Sequence, residues 1–241
     1  MKKKAEKISK YIKDSNYLVA LTGAGVSTAA GIPDFRGKNG IYKSNKYDPQ
    51  KTFNYRYFKK DPSHFFEFSK ELLSQIDNLE PTKTHNYLAE LEQKNILKTL
   101  ITQNIDGLHV KAGSKNIIHI HGTYNTGHCL ECNKKYDFEW MKNKLLQKNE
   151  LICQCGGIVK PDVVFFGEPV NEIDRAFKEV KKADLLIVLG SSLTVQPAAM
   201  FPLFTDATTI VITKGDIGIP KKDIDILVDT DLDSFISRLN I

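Results

Sequence analysis

Cysteine is scarce in this 241-residue chain, with four residues that all fall between positions 129 and 155. That scarcity excludes a fold held together by disulfides. No apolar run approaches the about 18 residues of a membrane-spanning helix. Charge of one sign is lacking too: 34 Lys plus Arg face 29 Asp plus Glu, leaving +5. So mild an excess falls short of a dedicated nucleic-acid binder. Met1-Lys2-Lys3-Lys4 has the positive start of a signal peptide, but Ala5 to Ser15 supplies no apolar core behind it, which points to a cytoplasmic protein. Internal repeats, low-complexity tracts and long linkers are lacking as well. What is there is ordinary globular chemistry, 41% hydrophobic and 26% charged, of a length for one large domain or one domain with a small satellite.

Short apolar runs alternate with helical patterns. Tyr17–Leu21, Ile96–Thr102, Ile117–Ile120, Asp184–Leu189, Thr209–Ile212 and Ile226–Val228 have the length and β-branched character of buried strands. Helical spacing marks Lys83–Gln93, Asn171–Lys182 and Asp231–Leu239, and Ala5, Ile8, Tyr11 and Ile12 trace an amphipathic surface helix. Continuous apolar strands alternating with helices predict an α/β fold, a parallel sheet covered on both faces. Ligands in that architecture bind beyond the carboxyl ends of the strands. Two segments break the alternation: Gly37 to about Glu80, rich in Lys, Asn, Tyr and Phe, and about Thr123 to Lys160, which holds every cysteine. They read as insertions that pack together into a smaller domain.

Cys129-x-x-Cys132 and Cys153-x-Cys155 stand 20 residues apart. Two close pairs at this distance in a reduced compartment predict one tetrahedral zinc ion, each turn offering two thiolates and a hairpin joining the pairs. The second pair has one intervening residue where two to four are commoner. Four protein ligands leave no place for a reactive water, so the zinc is structural. Unrelated thiols are the bland alternative.

Gly23-Ala24-Gly25 follows a strand, and Val26 to Ala30 reads as a helix start. Glycines there permit a tight turn and bring backbone N–H groups close to a diphosphate. The ordinary dinucleotide fingerprint is absent, because Thr28 stands where Gly or Ala is needed and no acid ends a second strand about 20 residues on. Spacing alone leaves a nucleotide site and a purely structural turn equally open, and indicates no hydride chemistry. It also leaves His121 open between a catalytic base, a further metal ligand and a core hydrogen-bonder. Asn104 and Asp106 read equally well as turn residues at a strand end.

Five motifs in order decide more. Gly23 to Gly37, Thr102 to His109, His121-Gly122 with the cysteine pairs, Lys160 to Glu168, and Gly190 to Leu193 resemble the signature of the sirtuins, the NAD-dependent protein-lysine deacylases, and most closely the bacterial undifferentiated class. The resemblance runs from about Ile8 to Leu239. It implies a Rossmann-like NAD-binding domain from residues 1–36, 81–122 and 161–241, with a helical module over 37–80 and a zinc module over 123–160 forming the small domain. It also implies roles. Ala24, Gly25, Thr28, Ser191 and Ser192 surround the NAD phosphates and ribose. Asp34, Phe35 and Arg36 belong to a loop over the nicotinamide. Gln103, Asn104, Ile105 and Asp106 line the ribose and carboxamide pocket, and Val164, Phe165, Phe166 and Gly167 pair with an acyl-lysine peptide by strand addition.

By the same resemblance the acyl oxygen of lysine attacks the nicotinamide ribose, and His121, with Asn104 beside it, serves the chemistry by taking a ribose hydroxyl proton. The products are free lysine, nicotinamide and O-acyl-ADP-ribose. NAD is a co-substrate, acyl-lysine proteins or peptides are the partners, and neither nucleic acid nor membrane is. Two positions depart from the family. Thr213 stands where many sirtuins carry an Asn that contacts the adenosine ribose. Arg56 directly follows Tyr55, whereas sirtuins that remove succinyl or malonyl groups carry Tyr-x-x-Arg. Acetyl or neutral acyl groups are therefore expected. Mono-ADP-ribosyl transfer to protein is the rival within enzymes. A non-enzymatic NAD-sensing or zinc-based binding module is the rival outside them, and its zinc segment has few aromatics and no dense Arg stripe.

Overall fold

The computed structural model describes residues 1–34, 47–76 and 78–240. Among these residues, nine strands divide between two sheets. The large one contains β1 (Leu18–Thr22), β2 (Leu97–Thr102), β3 (Ile117–His119), β7 (Leu185–Leu189), β8 (Thr208–Thr213) and β9 (Ile226–Asp229), in the order β3-β2-β1-β7-β8-β9. Every pairing in it is parallel. These are the six apolar runs of the sequence, with ends shifted by a residue or two.

Alternation along the strands separates two cores. Leu18, Ala20, Leu185, Ile187, Leu189, Ile210 and Ile212 face one side, where α1 (Lys2–Asp14), α5 (Lys83–Gln93) and α9 (Leu232–Ile236) cover them. Val19, Leu21, Leu186, Val188 and Val211 face the other, against α8 (Ile173–Lys182) and the 3-10 turn Ala198–Leu203. A buried aliphatic side chain contributes about 1.5–3 kcal/mol, so both faces of the central strands hold the sheet. Helix α1 buries Ala5, Ile8 and Ile12 and turns its lysines outward. Among the described residues no helix is long and apolar enough to cross a membrane.

A third core joins the two segments that interrupt the alternation. From one come α2 (Pro49–Thr52), α3 (Tyr55–Lys60) and α4 (Ser63–Ile76). From the other come the antiparallel strands β4 (Gly122–Cys129), β5 (Lys135–Asp137) and β6 (Val159–Val163), with α7 (Phe138–Lys148). Phe58 and Phe65 meet Phe165 at ring-centroid distances of 5.1 and 4.7 Å, and Phe65 stacks on Tyr124 at 6.3 Å. Met141 and Leu145, four residues apart on α7, face the same cluster. The cysteine pairs are thus separated by a strand and a helix, a longer excursion than a simple hairpin. Asp137 starts that helix by accepting the Trp140 N–H.

The chain winds outward from β1 to β3, then restarts on the opposite side of β1 with β7. The connections that leave β1 and β7 therefore run on to opposite sides of the sheet, and at the carboxyl ends of such a switch point these sheets form their ligand sites.

Candidate active site at the strand ends

The loop after β1 is a correction to the sequence reading. Residues 26–30 do not start an α-helix; two 3-10 turns, Ala24–Val26 and Thr28–Ala30, end at Gly31 with φ +101°. The reason lies across the crevice. Gly23 N–H donates to Leu189 O and Gly25 N–H to Gly190 O, at 3.0 and 2.9 Å, tying the loop to β7 before a helix can propagate. A Cβ on Gly25 would lie 2.7 Å from Gly190 Cα. Glycine is required here for one loop to touch another, and the helix-dipole argument for phosphate lapses with the helix.

Around this junction the strand ends gather most of the expected residues. Ala24, Gly25 and Ser192 are half-buried, Thr28 is exposed, and Ser191 is buried. Gln103, the first residue past β2, donates through Nε2 to Ser191 Oγ at 2.9 Å, joining the ends of β2 and β7. Asn104 Nδ2 donates to Ser27 Oγ at 3.0 Å, and Ser27 Oγ donates to Asp106 Oδ2 at 2.6 Å. The other Asp106 oxygen accepts the Leu108 N–H at 2.9 Å, at the start of α6 (Leu108–Lys111). Ile105 is half-buried against the third core. Thr213 closes β8 and is buried. Asp34 is half-buried; Phe35 and Arg36 lie outside the described residues.

Ser27 was missed by the motif reading, and with it a buried polar layer under the site. His85 Nδ1 accepts the Thr82 N–H at 3.2 Å in a capping box at the start of α5, so its Nε2 carries the proton and points at Ser27 Oγ, 3.5 Å away. His109 Nε2 lies 2.9 Å from Thr22 Oγ1, and the two imidazoles meet at 4.5 Å. Burial holds both histidines below the usual imidazole range, that of His109 well below it. The layer is neutral and fixes Asn104 and Asp106 from beneath. The sequence signal was Thr82 three residues before His85, the spacing of a cap.

His121 follows β3. Its Nδ1 is 3.0 Å from Gln103 O, and because a carbonyl only accepts, Nδ1 carries the proton and Nε2 keeps its lone pair. Burial lowers its pKa from 6.5, outweighing the bond to Gln103, which raises it. The unprotonated base is therefore present at neutral pH. Activity that needs this base should stay constant through neutrality and fall about tenfold per pH unit only on an acid limb centred below 6.5. A kcat/KM profile checks this; a limb centred above 6.5 would show that His121 is not the titrating group. Gly122 turns the chain at φ +76°, where a Cβ would meet Asp162 O at 1.9 Å.

The four cysteines form a separate cluster, their Sγ atoms all within 4.8 Å of one another. Cys129 to Cys155 and Cys132 to Cys153 measure 3.5 and 3.6 Å. A tetrahedral ion with Zn–S of about 2.3 Å needs sulfur–sulfur edges of about 3.8 Å, so the set fits zinc. A backbone bond from Gly157 favours the Cys155 thiolate, but Cys153, Cys129 and Cys132 crowd it and push its pKa up to about 12. A bound dication relieves that conflict by stabilising all four thiolates. Leu130 N–H to Ile158 O ties the two cysteine turns together, and Tyr136 O–H donates to Cys153 Sγ at 3.0 Å. No histidine joins the cluster among the described residues; His128 instead pairs with Asp162 at 2.7 Å.

The comparisons with known proteins agree with this arrangement. The model of the Sir2 family matches residues 23–197. The chain belongs to the Sir2 family. A protein named NAD-dependent protein deacetylase from Sulfurisphaera tokodaii is 46% identical over 82% of this chain and 78% of its own length. One of the same name from Thermotoga maritima is 44% identical over 80% and 79%. Among solved structures, Sir2 bound to an acetylated peptide superposes with TM-score 0.85 at 34% identity, over 97% of this chain and 95% of that one. Sir2Tm bound to a propionylated peptide gives 0.87 at 34%, over 98% and 96%. The α/β architecture expected from the sequence, a Rossmann-like parallel sheet with a zinc-type cysteine module, is that of this family.

Proposed function

We propose that this Sir2-family chain is an NAD-dependent protein-lysine deacylase acting on acyl-lysine proteins or peptides in the cytoplasm. The observation that carries the reading is the tautomer of His121: a half-buried imidazole at a strand end, its Nδ1 proton held by Gln103 and its Nε2 lone pair free. Bound NAD supplies an activated ribose carbon with nicotinamide as leaving group. The residues of this chain then divide the work. His121 Nε2 takes the proton of a ribose hydroxyl, and Asn104, held by Ser27, stands beside it as the second catalytic residue. Asp106, oriented by Ser27 and by Leu108 N–H, offers its remaining lone pairs to an amide donor. Ala24, Gly25, Thr28, Asp34, Gln103, Ile105, Ser191, Ser192 and Thr213, with Phe35 and Arg36, contribute the remaining NAD contacts. Cys129, Cys132, Cys153 and Cys155 hold one structural zinc ion. Val164 to Gly167 receive the peptide.

The cores support a division into residues 1–36, 81–122 and 161–241 against 37–80 and 123–160: the described residues of the first set carry both faces of the parallel sheet, and those of 47–80 and 123–160 build most of the aromatic core, to which Val163 and Phe165 of the first set also contribute.

Acyl preference gives a direct test. Tyr55 and Arg56 are successive residues of α3, so their side chains diverge by about 100° around the helix and cannot grip one carboxylate together. Arg56 is exposed while Tyr55 is half-buried. With matched peptides and NAD, acetyl-lysine should be turned over with at least about tenfold higher kcat/KM than succinyl-lysine, and neither should react without NAD. A preference for succinyl-lysine would overturn the acyl assignment, and NAD-independent loss of acetyl would overturn the reading itself.

A further inference from the structure

The segment that would receive the peptide is not held by ordinary strand pairing. Past β6 its backbone groups are taken one by one by different partners. Val164 N–H donates to His121 O at 2.9 Å. Phe166 N–H and C=O both bond the 53–55 segment, at 2.8 and 3.1 Å. Phe165 N–H has no backbone acceptor and donates to the Glu168 carboxylate at 2.9 Å. Among the described residues this leaves Val164 C=O and both backbone groups of Gly167 unpaired. Gly167 has φ +95° and open space on its Cβ side.

Behind this segment sits a buried ammonium. The Lys160 side chain is 4% exposed. Its Nζ donates to Val163 O at 2.7 Å and Pro161 O at 3.2 Å, and pairs with Glu168 Oε2 at 3.0 Å. It also lies 4.6 Å from the centroid of the Phe165 ring, the side chain at the centre of the aromatic core. The same Glu168 oxygen that accepts Phe165 N–H therefore faces Lys160, so one ion pair closes the loop from 160 to 168 and fixes both of its ends. A lysine buried this far needs its partners, because burial opposes its charge and Glu168 restores it.

We infer that Lys160 and Glu168 are positioning residues for the acyl-lysine peptide: their ion pair holds residues 163–168 in the shape that leaves Val164 C=O and the Gly167 backbone free for strand addition. Neither side chain reaches the substrate. The inference rests on the deacylase reading above. With the tie broken, the three cores remain, but the receiving edge loses its fixed geometry, and ordering it weakens peptide binding.

The test separates peptide from dinucleotide. Lys160→Met keeps an unbranched side chain of similar length and removes the charge; Glu168→Gln keeps an acceptor for Phe165 N–H and removes the opposite one. Each should weaken binding of an acetyl-lysine peptide, read by fluorescence anisotropy, about tenfold or more, while the KM for NAD stays within about twofold. The double variant Lys160→Met/Glu168→Gln removes both charges, so no ion is left buried alone. It should fold even where a single variant does not, and still bind peptide weakly. Unchanged peptide affinity in a folded variant, or equal losses for peptide and NAD, would overturn the inference and leave the deacylase reading standing. A wild-type chain that binds no acyl-lysine peptide would overturn both.

Discussion

Replacing His121 by alanine should lower deacylase turnover by about two to four orders of magnitude, the usual contribution of a positioned general base. The same change should barely alter the fold. His121 is half-buried and, among the described residues, its side chain makes one hydrogen bond, to Gln103 O, and losing such a bond costs about 0.5–1.5 kcal/mol. A large kinetic loss with a small stability loss distinguishes a base from a core hydrogen-bonder, the role that spacing alone left open. Zinc content should be unchanged, since no histidine belongs to the cysteine cluster among the described residues. Turnover within tenfold of wild type would place the base elsewhere. His119 would then be the next residue to test, because its buried Nδ1 has no hydrogen-bond partner among the described residues.

Loss of the metal should have the opposite profile, acting on stability first. Purified protein should contain about one zinc ion per chain. Cys129 is fully buried beside Val159 and Leu151, so Cys129→Ser places a hydroxyl and three unmatched sulfurs at the edge of the aromatic core. Structural zinc contributes folding energy outright, about 10 kcal/mol or more in isolated zinc-finger peptides. Here the dependent unit is the core shared by α4, α7 and β4. Cys129→Ser or strong chelation should therefore remove zinc, lower the unfolding temperature and expose Trp140, which packs against that core. Activity should fall as a consequence, since in the same cluster Val163 precedes the peptide-receiving segment and Phe165 belongs to it. Full zinc content and unaltered unfolding in Cys129→Ser would show that the four sulfurs are not a metal site.

These two expectations come from parts of the molecule that were unequally legible in the sequence. The six parallel strands were readable because each carries a short run rich in aliphatic and β-branched residues, buried on both faces in the central β1, β7 and β8, and helix Lys83–Gln93 because of its periodic apolar face. The zinc module was readable only by its ligands. Its strands β5 and β6 are short and polar in composition, Lys135–Asp137 and Val159–Val163, and they exist because the cysteine turns and the Phe65–Tyr124–Phe165 core hold them. Local propensity carries little of that. The false helix at residues 26–30 failed for a related reason: Gly25 engages Gly190, 165 positions on, and that long-range contact fixes the backbone first.

The candidate site followed the same rule. Gln103, Asn104 and Asp106 stand together in sequence and were found together. The layer beneath them draws on Thr22, Ser27, Thr82, His85 and His109, from three separate stretches of the chain. Each alone is an ordinary polar residue on an apolar background, and only the fold shows that Ser27 connects Asn104 to Asp106. The pair Lys160–Glu168 was visible merely as the two ends of a motif, with no sign that both charges turn inward.

The most direct test of the account is mass spectrometry of an acetyl-lysine peptide incubated with the protein, with and without NAD. NAD-dependent loss of acetyl, accompanied by nicotinamide and O-acetyl-ADP-ribose, is the predicted result. An unchanged peptide with ADP-ribose appearing on protein would contradict it and assign the same site to ADP-ribosyl transfer.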